Sequence, residues 1–168
     1  MAGLVYRRDM DDVRARLTTW WNGGDIGRPV MQIRIPRKEP HPGVPEIPAP
    51  DGVTAPWYTT RSFDWDGPGA IPHHDHLLGL PRLNVIQWTA GAGAEPGWHR
   101  RWWPLFHKTF ERGKGVFIGV SGSEQETVER LTALKREFGP RFKRFMFDLS
   151  MPSSESAERL LAQMSTDW

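Results

Sequence analysis

The chain of 168 residues contains no cysteine, which excludes disulfides, zinc–thiolate sites, iron–sulfur clusters and cysteine nucleophiles from its chemistry. Long apolar runs are missing as well. Met1–Tyr6 gives way at once to Arg7, Arg8 and the acids Asp9, Asp11 and Asp12, so no stretch there reads as a signal peptide or a spanning helix. The cytoplasm is the expected compartment, with no membrane partner. A strong charge of either sign is lacking too: 22 basic against 20 acidic residues leave +2. The arginines are spread among acids, so a phosphate-tracking surface, and hence nucleic acid, is not expected.

What is present is an ordinary globular balance, 38% hydrophobic and 25% charged, which is that of a folding chain rather than a disordered one. Its length suits a single domain over 1–168. Fifteen prolines, seventeen glycines and nine tryptophans point to a loop-rich protein with large flat side chains in its core or around a cleft.

Val13, Leu17, Trp20 and Trp21 recur at helical spacing between Asp9 and Asn22, with acids in the first turn and Gly23-Gly24 as the stop. The β-rich run Val30–Ile35 follows. Seven prolines between Pro36 and Pro56 then forbid helix and ladder alike, which predicts a linker at about 36–60. Strand and helix alternate afterwards. Strands are expected at Ser62–Asp66, Asn84–Trp88, Gly115–Val120 and Arg144–Ser150. Helices are expected from Pro68 to Leu78, from Pro104 to Gly113, after the capping box Ser123–Glu126 and after a cap at Ser153. Alternation of this kind predicts an α/β fold: about five mostly parallel strands with outer helices, an incomplete TIM-barrel-like array.

In such folds the chemistry sits at the C-terminal ends of the strands. Asp64 and Asp66, two apart in a strand, point to one side and suit proton sharing; the plainer alternative is a helix cap and an ion pair with Arg61 or Arg82. His73, His74 and His76 share one short helix, where a solvated surface is the plainer expectation and no metal is assigned. Gly91-Ala92-Gly93 lets backbone approach a ligand but lacks a full dinucleotide fingerprint. Trp88, Trp98, Trp102 and Trp103 are candidates for the floor of a pocket, with packing beneath loops as the alternative, and Arg100 and Arg101 are candidate carboxylate clamps, of which at least one by default faces water.

Four segments together resemble the uroporphyrinogen decarboxylase-like superfamily, near its corrinoid methyltransferase branch. They are Trp20-Trp21-Asn22-Gly23-Gly24 through Arg28-Pro29-Val30; Asp66-Gly67-Pro68-Gly69-Ala70 with His73; Ile86-Gln87-Trp88-Thr89-Ala90-Gly91-Ala92-Gly93; and Arg112-Gly113-Lys114-Gly115. The resemblance covers about Asp9 to Ile35 and Phe63 to the C-terminus. It implies a TIM-barrel ancestry whose middle is absent, with the proline-rich linker standing where several βα units would be. In the methyltransferase relatives a strand-end histidine and cysteine hold zinc; the matching places here are Asp64 and Asp66. Porphyrinogen decarboxylases need no metal or prosthetic group, so no cofactor is implied.

The expectation is therefore a shortened member of that superfamily, a decarboxylase-like lyase or a methyltransferase if active, taking a tetrapyrrole carboxylate or a corrinoid. Asp66, Asp64 and His73 would be catalytic; Gln87, Trp88, Gly91, Gly93 and Arg101 would bind substrate. The alternative is a non-catalytic module that pairs with a second copy of itself to form a homodimer, or a degenerate remnant.

Overall fold

The computed structural model describes residues 10–34 and 62–167; the linker expected at about 36–60 lies outside them. In chain order the elements are α1 (Met10–Trp21), β1 (Val30–Arg34), β2 (Ser62–Asp66), α2 (His74–Gly79), β3 (Val85–Thr89), α3 (Trp103–Glu111), β4 (Gly115–Val120), α4 (Glu124–Phe138), β5 (Phe145–Ser150) and α5 (Ser154–Asp167). Short 3-10 turns at Pro68–His73, Arg100–Trp102 and Gly139–Arg144 precede α2, α3 and β5.

The first of these turns is where the chain departs from the helix expected from Pro68 to Leu78, and proline is the cause. Pro72 has no N–H to give and its ring crowds the preceding turn, so the segment after β2 winds as 3-10 through His73 and becomes α-helical at His74. The Ser123–Glu126 box forms as read: Ser123 Oγ accepts from Glu126 N at 3.3 Å, and Ser123 N donates to Glu126 Oε2 at 2.8 Å.

All five strands are parallel, in the order β1-β5-β4-β3-β2. Each step from β2 to β5 moves one place in the same direction, the singly wound order of a βα barrel, and the first strand lies beside the last. Right-handed crossovers repeated in one direction put α2, α3 and α4 on one face.

Burial follows that geometry. Trp65, Ile86, Trp88, Val116, Ile118, Phe145, Phe147 and Leu149 form the core with Leu77, Phe106, Phe110, Leu131, Leu134, Phe138 and Leu160 from the helices. The alternate positions lie on the opposite face, which no helix covers along its upper part among the described residues. Register lines them up in rows: Asp64–Gln87–Phe117–Met146–Val30, and above it Asp66 beside Thr89, and Asp148 beside Gln32. Leu149, Phe147 and Phe145 are buried while Ser150 is exposed and Asp148 half-buried, a period-2 pattern of a sheet with one packed face.

The lower end of the open face is closed by α1. Trp20, 2% exposed, donates Nε1–H to the Lys143 carbonyl at 2.9 Å, and Asn84 Nδ2 donates to the Trp21 carbonyl at 2.8 Å. A Cβ added at Gly115 would stand 3.4 Å from the Trp20 ring, so the absence of a side chain there admits the indole. Val85, on the same face, is buried beside it. The face consequently opens toward the C-terminal ends of the strands. Among the described residues no helix is long and apolar enough to cross a membrane.

Trp20→Ala is expected to cost about 3–5 kcal/mol, read as a lower urea midpoint at unchanged slope. A loss of less than about 1 kcal/mol would show that α1 is not a structural closure.

Candidate functional site at the strand C-termini

A cavity of about 470 Å³ lies at the mouth, lined by the ends of β3, β4 and β5 and the loop after β3; Thr89, Gly91, Trp98, Gly119, Ser121, Asp148 and Ser150 are among its walls. A smaller one of about 240 Å³ shares Thr89, Gly97, Gly119 and Asp148 and reaches down to Gln87 and Phe117. Gly119 makes the space: a Cβ there would meet nothing within 4 Å. Any larger residue would project into the opening between Thr89 and Asp148.

The rim is stiffened from outside. The Arg130 guanidinium lies 4.2 Å from the Trp98 ring centroid, donates to the Ser121 carbonyl and pairs with Glu126 at 2.7 Å. One side chain thus ties the loop after β3 to the loop after β4, and Glu126 is in turn the partner of Ser123 in the capping box. Hydrogen bonds from Ser123 and the charge of Arg130 hold the Glu126 carboxyl below the usual carboxylate range. On the far side, Arg159 grips Glu124 with two hydrogen bonds of 2.9 and 2.6 Å, which bring the Glu124 carboxyl down to about 2.

The residues singled out from the sequence divide into two groups. Asp64 and Asp66 share the open face, both exposed. Thr89 Oγ1 donates to Asp64 Oδ1 at 3.0 Å, so Asp64 is held by its neighbouring strand. Asp66 borders the loop after β3: a Cβ at Gly91 would stand 3.9 Å from Asp66 Oδ1. Neither caps the turn that follows, whose first position, Gly67, makes no side-chain capping bond. Gln87 and Gly91 line the cavities.

Of the others, Trp88 borders the smaller cavity, and Arg101, His73 and Gly93 line neither. The Trp88 ring stands on the helix-covered face, 2% exposed, with ring centroids 4.8 Å from Trp65 and 4.9 Å from Trp102. Stacking on a ligand is replaced by core packing, because Trp88 has the opposite strand parity to Gln87 and Thr89. Arg101 is exposed and lies over its neighbour Trp102 at 5.3 Å. His73 and Gly93 are exposed and line neither cavity. Among the described residues no three His, Asp or Glu side chains gather as a metal site would need.

Asp148 and Ser150 stand at a strand end in the sequence, and the alternation Phe145-Met146-Phe147-Asp148-Leu149-Ser150 puts the carboxylate on the face opposite the core side chains; Thr89 and Gly119 have no such signal as site residues.

Of the three histidines, the buried one is His74, 3% exposed. Its Nε2 lies 2.9 Å from Thr109 Oγ1, and that hydroxyl gives its own proton to the Leu105 carbonyl at 2.8 Å. His74 is therefore the donor, with its hydrogen on Nε2. Its ring stacks on Trp65 with centroids 4.3 Å apart. Burial, helped by the nearby Lys108 charge, depresses its pKa from 6.5 to about 4. This histidine belongs to the core, as a neutral group.

No protein-family model, curated protein or solved structure matches the chain.

Because the unfolded chain takes up a proton that folded His74 refuses, its contribution is complete above pH 6.5 and is lost as pH falls toward about 4. The loss amounts to about 3 kcal/mol. His74→Gln is expected to flatten the fall of melting temperature across that window; an unchanged slope in the variant would place the titration elsewhere.

Proposed function

We propose that the chain is a shortened uroporphyrinogen decarboxylase-like protein that binds a small molecule at the C-terminal mouth of its strands and moves a proton there. The observation that carries this reading is the gathering of Asp64, Asp66, Gln87 and Asp148 beside a cavity on one sheet face, whose upper part no described helix covers. The strand order supports the ancestry: β1 beside β5, with β2 to β5 in unbroken succession, is what joining a barrel's first βα portion to its last would produce.

In this reading Asp66 is the proton-handling group, because it stands next to the loop after β3, while Asp64 is engaged by Thr89. Gln87, half-buried below, orients the ligand with its amide. The ligand classes that follow from the resemblance are a tetrapyrrole carboxylate or a corrinoid. The zinc-dependent form of methyl transfer takes a thiolate ligand, and the chain has no cysteine to supply one. Tetrapyrrole decarboxylation in that superfamily uses aspartate and arginine and asks for no thiolate, which ranks it first.

A thermal-shift screen with a polycarboxylate tetrapyrrole and a corrinoid tests this, since a ligand selective for the folded form raises the melting temperature. Asp66→Asn is expected to abolish turnover of the ligand so found while leaving the fold intact; normal turnover in that variant rejects the assignment.

A second reading, a self-pairing module without catalysis, is favoured by the outer edges of β1 and β2, which carry no ladder partner among the described residues. Open edges invite a second copy. Light scattering decides: twice the chain mass is expected under this reading, and a compact monomer ends it.

A further inference from the structure

A further cavity, of about 620 Å³, shares no lining residue with the two at the mouth. Its walls come from α1, the turn into β1, Val30 and Met31 of β1 itself, and Leu161 of α5. Strand parity explains the place. Val30, opposite Met146, belongs to the face that α1 closes, and Met31, opposite Phe147, to the face on which α5 packs. Because β1 is an outer strand with no ladder partner beyond it among the described residues, the space lies where the two helices flank its outer edge.

Two features of these walls point to one class of ligand. Leu17 and Leu161, 38% and 40% exposed, are two of the three exposed large apolar side chains among the described residues, and both line this cavity. Single exposed leucines are ordinary; two on one cavity, beside Ile26 and Met31, make an apolar patch of the kind that marks a ligand groove. The charged side chains among the walls are Arg16 and Arg28, and no carboxylate among the described residues forms an ion pair with either. Asp11 pairs instead with Arg14 at 3.9 Å, and Asp25 with Lys143. Asp12 and Glu158, one turn before Arg16 and Leu161, are exposed and line no part of the cavity. Arg34, at the other end of β1, is of the same sign as the two arginines.

A carboxylate on an apolar chain answers both features. Guanidinium groups hold carboxylates with charge-assisted, often paired, hydrogen bonds, and the chain takes the leucine wall out of water. An ammonium group would meet like charge, and a wholly polar anion would leave the apolar wall wet. The volume falls within the size range of small-molecule sites.

We propose that the cavity at the outer edge of β1 binds a small amphipathic acid, such as a medium-chain fatty acid, with Arg16 and Arg28 on its carboxylate and Leu17, Ile26, Met31 and Leu161 along its chain. This site is separate from the mouth and does not depend on any chemistry there.

Isothermal titration of the full chain at neutral pH reads the preference, with octanoate set against octanol, octylamine and acetate. Octanoate is expected to bind at least about tenfold more tightly than the other three, and less tightly as salt is added. Changing Arg16→Gln and Arg28→Gln together is expected to bring octanoate down to the level of octanol. Leu161→Glu, at a position already 40% exposed, is expected to remove octanoate binding by setting a like charge on the apolar wall.

Octylamine or acetate binding as tightly as octanoate would overturn the inference, as would octanoate binding undiminished in the double arginine variant, or silence from all four compounds. Sedimentation with phosphatidylglycerol vesicles separates a free acid from a lipid surface: capture by vesicles without binding of octanoate would also overturn it. Should a variant fail to fold, the four compounds on the unaltered chain still decide, and failure of this site leaves the reading of the mouth to its own tests.

Discussion

The constraint on which this molecule depends is the handedness of the connection between parallel strands. A right-handed crossover that always steps the same way along a sheet has one place to put its helix, so α2, α3 and α4 accumulate on a single face. The large apolar side chains must follow them, and strand periodicity then turns every second residue outward. Trp65, Trp88, Ile118 and Phe147 are in the core for the same reason that Asp64, Gln87, Gly119 and Asp148 are not. An open polar face is thus a by-product of topology, and so is the convergence of all five strand ends at one rim.

That face would be a liability if it stayed open along its whole length, since it carries Val30, Phe117 and Met146 beside its polar residues. The N-terminal helix closes the lower part with one tryptophan whose indole fits against a glycine and whose N–H finds a carbonyl. Polar and apolar roles are divided by height: the lower rows are shielded, and the upper rows meet solvent where the cavity lies. Arg130 performs a related task at the rim, joining two loops that have no backbone ladder between them by one cation–π contact and two polar ones. Such contacts gain from partial shielding.

Much of the fold was legible because its signals are local. The capping box at Ser123, the β-rich runs, the glycines at helix ends and the alternation of strand with helix each require a few neighbouring residues, and each appears close to its expected place. The departure from an expected helix is local too: Pro72 lies inside a segment with helical pattern, and the chain answers with a 3-10 turn at Pro68–His73. The site was harder to read, because membership depends on strand parity across elements far apart in sequence. Asp64 and Asp66 were legible from their spacing alone. Trp88 looked like a cleft residue from its position at a strand end, yet one residue of parity sends its ring into the core. Asp148 is legible as a strand-end residue, whereas Gly119 is ordinary by type and becomes notable once register sets β4 beside β3 and β5.

Electrostatics separates the molecule's two kinds of ionisable group. Those that fasten elements together, such as Glu124 with Arg159, Lys108 with Asp75 and Lys143 with Asp25, are paired with a defined opposite charge. On the open face Asp64 takes a hydroxyl proton from the neighbouring strand and Asp66 borders the loop after β3. Both stand at the end of a strand, where parallel topology brings the connecting loops to one rim and where the proposed reading puts its proton transfer.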